Sequence, residues 1–251
     1  MKKSFLLILC VLFTSIAEAG EPQKITIGIS PFSPYSINRP IIERTIEHLR
    51  KSISPVQIEI FHSESMPVFK AGVTNGCCNY ILSSSGFYRR MIQIDVGAKD
   101  IATVSSNLAP NPNLAEGSVF FALKSRDDIN KIEDLKGKII AANDINSFSG
   151  FHIGMGSIAE KGFNPDNFFR ETHEVGVDTR NVLDELIRGN ADVGVLRTCT
   201  LEQVPSAFDT FKIISPYSIK NFNCVTSTKL YPNWTFSSLP SATPELTRDL
   251  C

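Results

Sequence analysis

The N-terminal part of the chain, after its first apolar run, alternates between β-branched segments and segments with helical spacing. Residues 25–29 (Ile-Thr-Ile-Gly-Ile), 56–60 and 77–82 predict strands. Helical patterns separate them, one beginning at Pro40 and one over residues 65–73. A strand–helix–strand–helix–strand order implies a parallel sheet with right-handed crossovers. This part of the sequence therefore predicts an α/β fold.

A second alternation follows the Asn- and Pro-rich residues 107–113, which predict a turn and a crossing between two domains. Residues 138–142 predict a buried strand that leads through a polar loop into an apolar helix pattern near Ser147. Further strands are predicted at residues 96–105, 118–123, 171–175, 191–196, 211–214 and 224–228, and helices at residues 86–92, 179–188 and 244–251.

The extreme N-terminus is typical of a secretory signal peptide. Lys2 and Lys3 precede an apolar run over residues 5–13, and Ala17-Glu-Ala19 then provides an A-x-A cleavage site before Gly20. An uncleaved membrane anchor is the alternative, although the apolar run is too short to span a bilayer. We therefore expect residues 1–19 to be removed and the mature chain to lie in the periplasm. That compartment is oxidising, so its cysteines can pair.

Charge and motif content exclude several classes of function. A net charge of −1 over 251 residues argues against nucleic acid, which requires a basic surface. His62, His152 and His173 fall in different predicted elements, so no metal site is expected. The sequence contains no Gly-rich phosphate loop and no G-x-S-x-G elbow. We expect no cofactor and no catalytic residue.

Small hydroxyl and donor residues follow several predicted strands. Ligands of open α/β sheets bind beyond the carboxyl ends of the strands, so these residues predict one shared ligand site. They are Tyr35, Ser83, Ser84, Ser85, Ser147, Ser149 and Arg197. Arg197 could pair with an oxyanion or form a surface salt bridge, and Tyr35 could close the site or pack against its own loop. Ser147 and Ser149 precede a helix start, which can be an anion-binding corner or an ordinary cap.

Three motifs resemble the phosphonate-type periplasmic binding proteins. They are residues 134–138 (Asp-Leu-Lys-Gly-Lys), residues 147–150 (Ser-Phe-Ser-Gly) and residues 182–194, where a helix ends in Gly-Asn-Ala-Asp before a strand. The resemblance implies a two-lobed type 2 periplasmic-binding fold, with mixed sheets, flanking helices and a hinge. The expected lobes are residues 20–106 and 107–216, with residues 217–251 returning to the first lobe and ending early relative to the family.

Residues 195–202 and 224–240 are similar to the periplasmic sensor part of tetrathionate-type sensor histidine kinases. This resemblance implies that Ser147, Phe148, Ser149 and Gly150 form a ligand-facing helix start. It also makes Cys199 and Cys224 the two cysteines of the subgroup, for which we expect a disulfide; reactive thiols are the alternative. Cys77 and Cys78 are not part of this pattern. In an extended strand they would point to opposite faces, so we do not expect them to bond.

Together these features predict reversible, non-catalytic binding of a small anionic solute, a sulfur or phosphorus oxyanion. The expected role is the ligand-sensing domain of a two-component system, with a membrane-bound sensor kinase as partner. One alternative is the substrate-binding protein of a phosphonate- or phosphate-type ABC transporter, with a permease as partner. Another is a secreted cysteine-dependent redox enzyme or hydrolase.

Overall fold

Two five-stranded mixed sheets organise the part of the chain that the structure describes. The structure is a computed structural model, and it describes residues 23–31, 35–53, 55–63, 65–93, 97–176 and 178–250. The strands are Lys24–Ile29 (β1), Gln57–His62 (β2), Tyr80–Ser83 (β3), Lys99–Thr103 (β4), Ser118–Leu123 (β5), Ile139–Ala142 (β6), Glu171–Glu174 (β7), Val193–Arg197 (β8), Phe211–Ile213 (β9) and Thr235–Ser238 (β10). The α-helices are Tyr35–Ser52 (α1), Met66–Thr74 (α2), Ser85–Gln93 (α3), Ile153–Glu160 (α4), Thr179–Ile187 (α5), Ala207–Thr210 (α6) and Pro244–Asp249 (α7). The expected signal peptide, residues 1–19, lies outside the described residues.

The first sheet has the strand order β2-β1-β3-β10-β4. Strand β1 runs parallel to β2 and β3, with α1 and α2 in the connections, which confirms the predicted parallel unit. Strand β10 runs antiparallel to β3 and β4, so the sheet as a whole is mixed. The carboxyl ends of β1 and β3 consequently lie at one edge.

The second sheet has the order β7-β6-β8-β5-β9 and is covered on both faces. Strand β6 is parallel to β7 and β8, whereas β5 is antiparallel to β8 and β9. On one face Phe120 belongs to an apolar cluster with Ile158 of α4; on the other Phe121 packs with Leu186 of α5. Burial of both faces explains why β5 reads as a continuous apolar run.

Two antiparallel segments connect the lobes. Glu116 and Tyr231 exchange backbone hydrogen bonds of 2.9 and 2.7 Å, and the Val104 N–H donates to the Trp234 carbonyl at 2.8 Å. Before this crossing, the hydroxyls of Ser227 and Thr228 accept from backbone N–H groups of β5. We therefore propose that the chain leaves the second lobe near Tyr231 rather than at residue 217.

Residues 224–228 form no strand, so that prediction is wrong. Side-chain hydroxyls from Thr226-Ser227-Thr228 take the place of backbone ladder partners along the start of β5. Conversely, β10 (Thr-Phe-Ser-Ser) was not predicted, because its composition is polar although the strand is buried between β3 and β4.

The expectation that Cys77 and Cys78 do not bond is also wrong, since the structure pairs them in a disulfide. Strand β3 begins at Tyr80, and both cysteines lie in the irregular connection that follows the turn at Gly76. Strand alternation therefore does not apply to them.

Candidate ligand-binding cleft

The second-lobe corner is built where β6 passes into a helix. A π-helical turn, Phe148–His152, precedes α4, and Ser147 occupies the N-cap position with extended backbone angles. The Ser147 hydroxyl accepts from the Gly150 N–H at 3.1 Å, as an N-cap should. The predicted helix start is therefore present, and its cap is made by Ser147.

Ser149 is connected to β5 and β8 through Ser118. The Ser118 hydroxyl donates to the Ser149 carbonyl at 2.7 Å, and Ser118 lies opposite Arg197 in the β5–β8 register. Because β8 ends at this edge, the sheet places Arg197 near the capped corner.

Arg197 forms an ion pair with Glu116, which is fully buried at the crossing between the lobes. The Arg197 side chain is 39% exposed, so one side of it faces solvent. Of the two roles considered for Arg197, the structure shows the salt bridge. An arginine whose charge is balanced by a buried carboxylate is oriented by it, because breaking such a pair leaves an uncompensated buried charge.

The first-lobe corner consists of the three serines that follow β3. Ser83 is fully buried at the strand end, and the Ser84 hydroxyl accepts from the Phe87 N–H at 3.2 Å, capping α3. The Ser85 hydroxyl donates to the Pro232 carbonyl at 2.9 Å, which ties α3 to the returning segment.

The two corners face each other and touch. A Cβ built on Gly86, the second residue of α3, would lie 2.3 Å from Cδ2 of Phe148, so that ring packs directly on the Gly86 backbone. The Phe148 ring also meets Tyr231 edge-on, with 6.2 Å between ring centroids. The structure thus brings Gly86, which directly follows the three serines, against Phe148 of the 147–150 turn.

Tyr35, the remaining predicted residue, is the first residue of α1, and its side chain lies outside the described residues.

Sequence reasoning missed Ser30, which directly follows β1 and lies beside Ser83. The Ser30 N–H donates to the Leu82 carbonyl at 3.0 Å, which fixes the two strand ends together. Both hydroxyls are completely buried and, within the described part of the chain, neither has a hydrogen-bond partner. A buried hydroxyl without a partner costs free energy, so such a pair indicates a place for a polar group. A serine directly after an apolar strand, as in Ser83, was the available signal.

Charged groups with strongly shifted pKa values lie at the opposite edge of the second sheet. Arg126 binds Asp128 and Asp192, and its hydrogen bonds hold the pKa of Asp128 well below the usual range. Asp192 is partly desolvated, yet its hydrogen bond from the Ile139 N–H and its pairing with Arg126 keep its pKa lowered. These groups stabilise the start of β6 and lie away from the cleft.

Cys199 and Cys224 form the expected disulfide. Cys199 adopts a left-handed backbone (φ 64°) directly after β8. Across the described ranges, no group of three His, Cys, Asp or Glu side chains could hold a metal ion. None of the helices described is long and apolar enough to cross a bilayer.

Two α/β lobes, a two-segment crossing and helix starts that meet between the lobes are the architecture of a bilobal solute-binding protein. Residues 27–250 match the family described as ABC transporter, phosphonate, periplasmic substrate-binding protein, and the chain belongs to that family. The fold is accordingly the type 2 periplasmic-binding fold.

Among curated proteins, the chain is similar to the tetrathionate sensor histidine kinase TtrS of Salmonella typhimurium, with 31% identity over 140 residues. The match covers 52% of this chain and 22% of that relative, so the chain spans only a fraction of its length. A Xanthomonas citri protein bound to ATP shares the fold at a TM-score of 0.66 and 17% identity, covering 91% of this chain and 81% of the other. PhnD1 of Prochlorococcus marinus with methylphosphonate gives 0.62 and 15% identity, covering 91% and 82%.

Proposed function

We propose that this chain binds a small anionic solute, a sulfur or phosphorus oxyanion, in the cleft and releases it unchanged. The observation that supports this proposal is the contact between Gly86 and Phe148, which makes two helix starts face each other. Each start presents backbone N–H groups and the positive end of a helix dipole. Two positive ends opposed across a cleft repel, and an anion between them converts repulsion into attraction.

Uncharged donors suit this ligand. The hydroxyls of Ser30, Ser83 and Ser149 are buried or nearly so, and hydroxyl and N–H donors can bind an oxyanion without a formal counter-charge. The Glu116–Arg197 pair is neutral overall and sits at the crossing. In this proposal it orients the second-lobe wall rather than supplying net positive charge.

We further propose that the chain is a periplasmic sensing domain that acts with a membrane-bound sensor kinase. The similarity to the tetrathionate sensor kinase supports this role. Delivery of the ligand to an ABC permease is the second candidate, favoured by the description of the family. A cysteine-dependent enzyme ranks last, because Cys199 is bonded to Cys224 and is not a free thiolate.

A thermal-shift screen tests the binding proposal. Tetrathionate, thiosulfate, sulfite, phosphate and methylphosphonate are added in excess to the purified mature chain. At least one should raise the melting temperature, because a ligand of the folded state stabilises it. Ser149→Ala should abolish that shift, whereas Ser125→Ala, on an exposed turn of the second lobe, should keep it. An unchanged melting temperature with every anion would refute the anion assignment.

A further inference from the structure

The disulfide between Cys77 and Cys78 lies away from the cleft, at the end of β3 opposite Ser83. Helix α2 ends at Thr74, and Gly76, with φ 77°, turns the chain toward the cysteines. The Cys77 N–H donates to the Gly72 carbonyl at 3.0 Å, which attaches the pair to the last turn of α2.

This disulfide does not act as a conventional covalent staple. A disulfide stabilises a fold mainly by closing a loop in the unfolded chain, and its effect grows with the residues enclosed. Cys77 and Cys78 are adjacent and enclose none, whereas Cys199 and Cys224 are separated by 25 positions. Loop closure therefore explains a stabilising role for the Cys199–Cys224 disulfide but not for the Cys77–Cys78 disulfide.

The two sulfurs differ in access. Cys78 is 2% exposed and belongs to the apolar cluster of Phe69 and Ile81. Its Sγ lies only 2.9 Å from where a Cβ on Gly28 would be, so strand β1 covers it. Cys77 is half-buried at the edge of the same cluster. The residue that carries one sulfur is therefore partly exposed, whereas the other sulfur lies in a site that accepts a neutral thiol as a small apolar group.

We propose that Cys77–Cys78 is a redox-active site that undergoes two-electron thiol–disulfide exchange with small-molecule thiols. A thiolate attacks Sγ of Cys77, the protein S–S bond breaks, and Sγ of Cys78 takes the electron pair and a proton from solvent. A second thiol then attacks the sulfur of the first, which releases Cys77 as a thiol. Two small thiols are oxidised to one disulfide while the protein disulfide is reduced to a dithiol. This proposal is independent of the ligand in the cleft.

Redox titration of the mature chain, read by mass spectrometry, tests the proposal. The folded protein is equilibrated in glutathione buffers of graded composition, free thiols are alkylated, and the protein is digested with trypsin. Cleavage after Lys70 and Arg89 gives one peptide that carries both cysteines. That peptide should gain two labels together. The glutathione ratio at half-reduction is the squared concentration of reduced glutathione divided by the concentration of oxidised glutathione. It should be at least about tenfold lower for Cys77–Cys78 than for Cys199–Cys224.

Several results would overturn the proposal. The first is that both disulfides are half-reduced at the same glutathione ratio, and the second is that Cys77–Cys78 resists reduction more than Cys199–Cys224. The third is that air-oxidised protein carries free thiols at both Cys77 and Cys78. Matched single variants check the assignment of the two sulfurs. In folded Cys78→Ala the remaining Cys77 should be alkylated readily, and in folded Cys77→Ala the remaining Cys78 should be protected until urea unfolds the chain. The reverse order of labelling would contradict the assigned roles.

Discussion

Individual hydroxyls at the strand ends are the groups through which the cleft is proposed to recognise its ligand. Ser30 and Ser83 are fully buried, and the described part of the chain offers their hydroxyls no partner. Under the proposal, each such hydroxyl is a cost without ligand and becomes a donor to the bound oxyanion. Removing these hydroxyls should therefore lower the affinity for the anion without lowering the free energy of unfolding.

The double variant Ser30→Ala/Ser83→Ala tests this opposition. We expect the free energy of unfolding to stay constant or rise by up to about 1 kcal/mol, while affinity for the anion falls about tenfold or more. Ser237→Ala is the control, because Ser237 is also buried without a partner but lies within β10. It should leave affinity unchanged. Urea unfolding and calorimetry measure both quantities, and a clear loss of stability in the double variant would show that the hydroxyls have a structural role instead.

His173, on the edge strand β7, provides a prediction about pH. Its Nδ1 lies 2.8 Å from Oε2 of Glu185 and its Nε2 lies 3.1 Å from Oε1 of Glu171. The hydrogen bond with Glu185, aided by Glu171, raises the pKa of His173, and the same contact lowers the pKa of Glu185. A raised folded-state pKa means that the stabilisation is complete below about pH 6.5 and is lost as pH rises through the folded-state pKa.

We therefore expect wild type to be more stable than His173→Gln at about pH 5.5, and the difference to vanish by about pH 8.5. The effect should stay below about 1 kcal/mol, because these side chains are partly exposed. Urea unfolding at the two pH values measures it. A difference that grows with pH would contradict the assignment.

Among the elements, α3 and the turn before α4 control how closely the lobes approach. Gly86 provides the surface on which Phe148 packs, since any Cβ there would overlap the ring. The absence of a side chain at one residue thus determines whether two helix starts can meet.

Gly86→Ala should prevent full closure. Alanine favours a helix by up to about 1 kcal/mol over glycine, which offsets part of the cost of moving the Phe148 ring away, so the stability of the free protein should change little. Affinity for the anion should nevertheless fall at least about tenfold. Gly156→Ala in α4 is the matched control, because a Cβ there meets no atom within 4 Å. Calorimetric titration of both variants decides the point, and equal affinities would show that closure does not depend on Gly86.

The elements that sequence predicted well are the apolar strand β5, the edge strand β7 and the strand–helix units of the first sheet. Residues 118–123 and 171–175 gave β5 and β7 within one residue, and the parallel unit of the first sheet followed from strand–helix alternation. The prediction failed where polar residues are buried. Strand β10 is hydroxyl-rich inside a sheet, and residues 224–228 look like a strand but bond through their side chains.

For the site, sequence could indicate which strand ends carry serines, but not their partners. Both serine groups do follow parallel strands of their own sheets, and their shared ligand site stays a prediction. The pairing of Arg197 with Glu116 joins residues far apart in sequence. The packing of Phe148 on Gly86 depends on how one lobe lies against the other, which local patterns do not encode.

At the scale of the whole molecule, two lobes joined by two antiparallel segments can rotate about the crossing. The crossing holds few backbone hydrogen bonds, centred on Glu116 and Tyr231, whereas each lobe has its own apolar clusters. Hinge closure around a ligand is the motion this arrangement permits. Binding at the facing helix starts would bias the molecule toward the closed state.

Isothermal titration of residues 20–251 with the same five anions is the most direct test of this account. We predict that at least one binds to a single site per chain, and that Ser149→Ala removes the heat of binding while the protein remains folded by circular dichroism. If wild-type protein is folded and none of the anions produces binding heat, the cleft is not an oxyanion site.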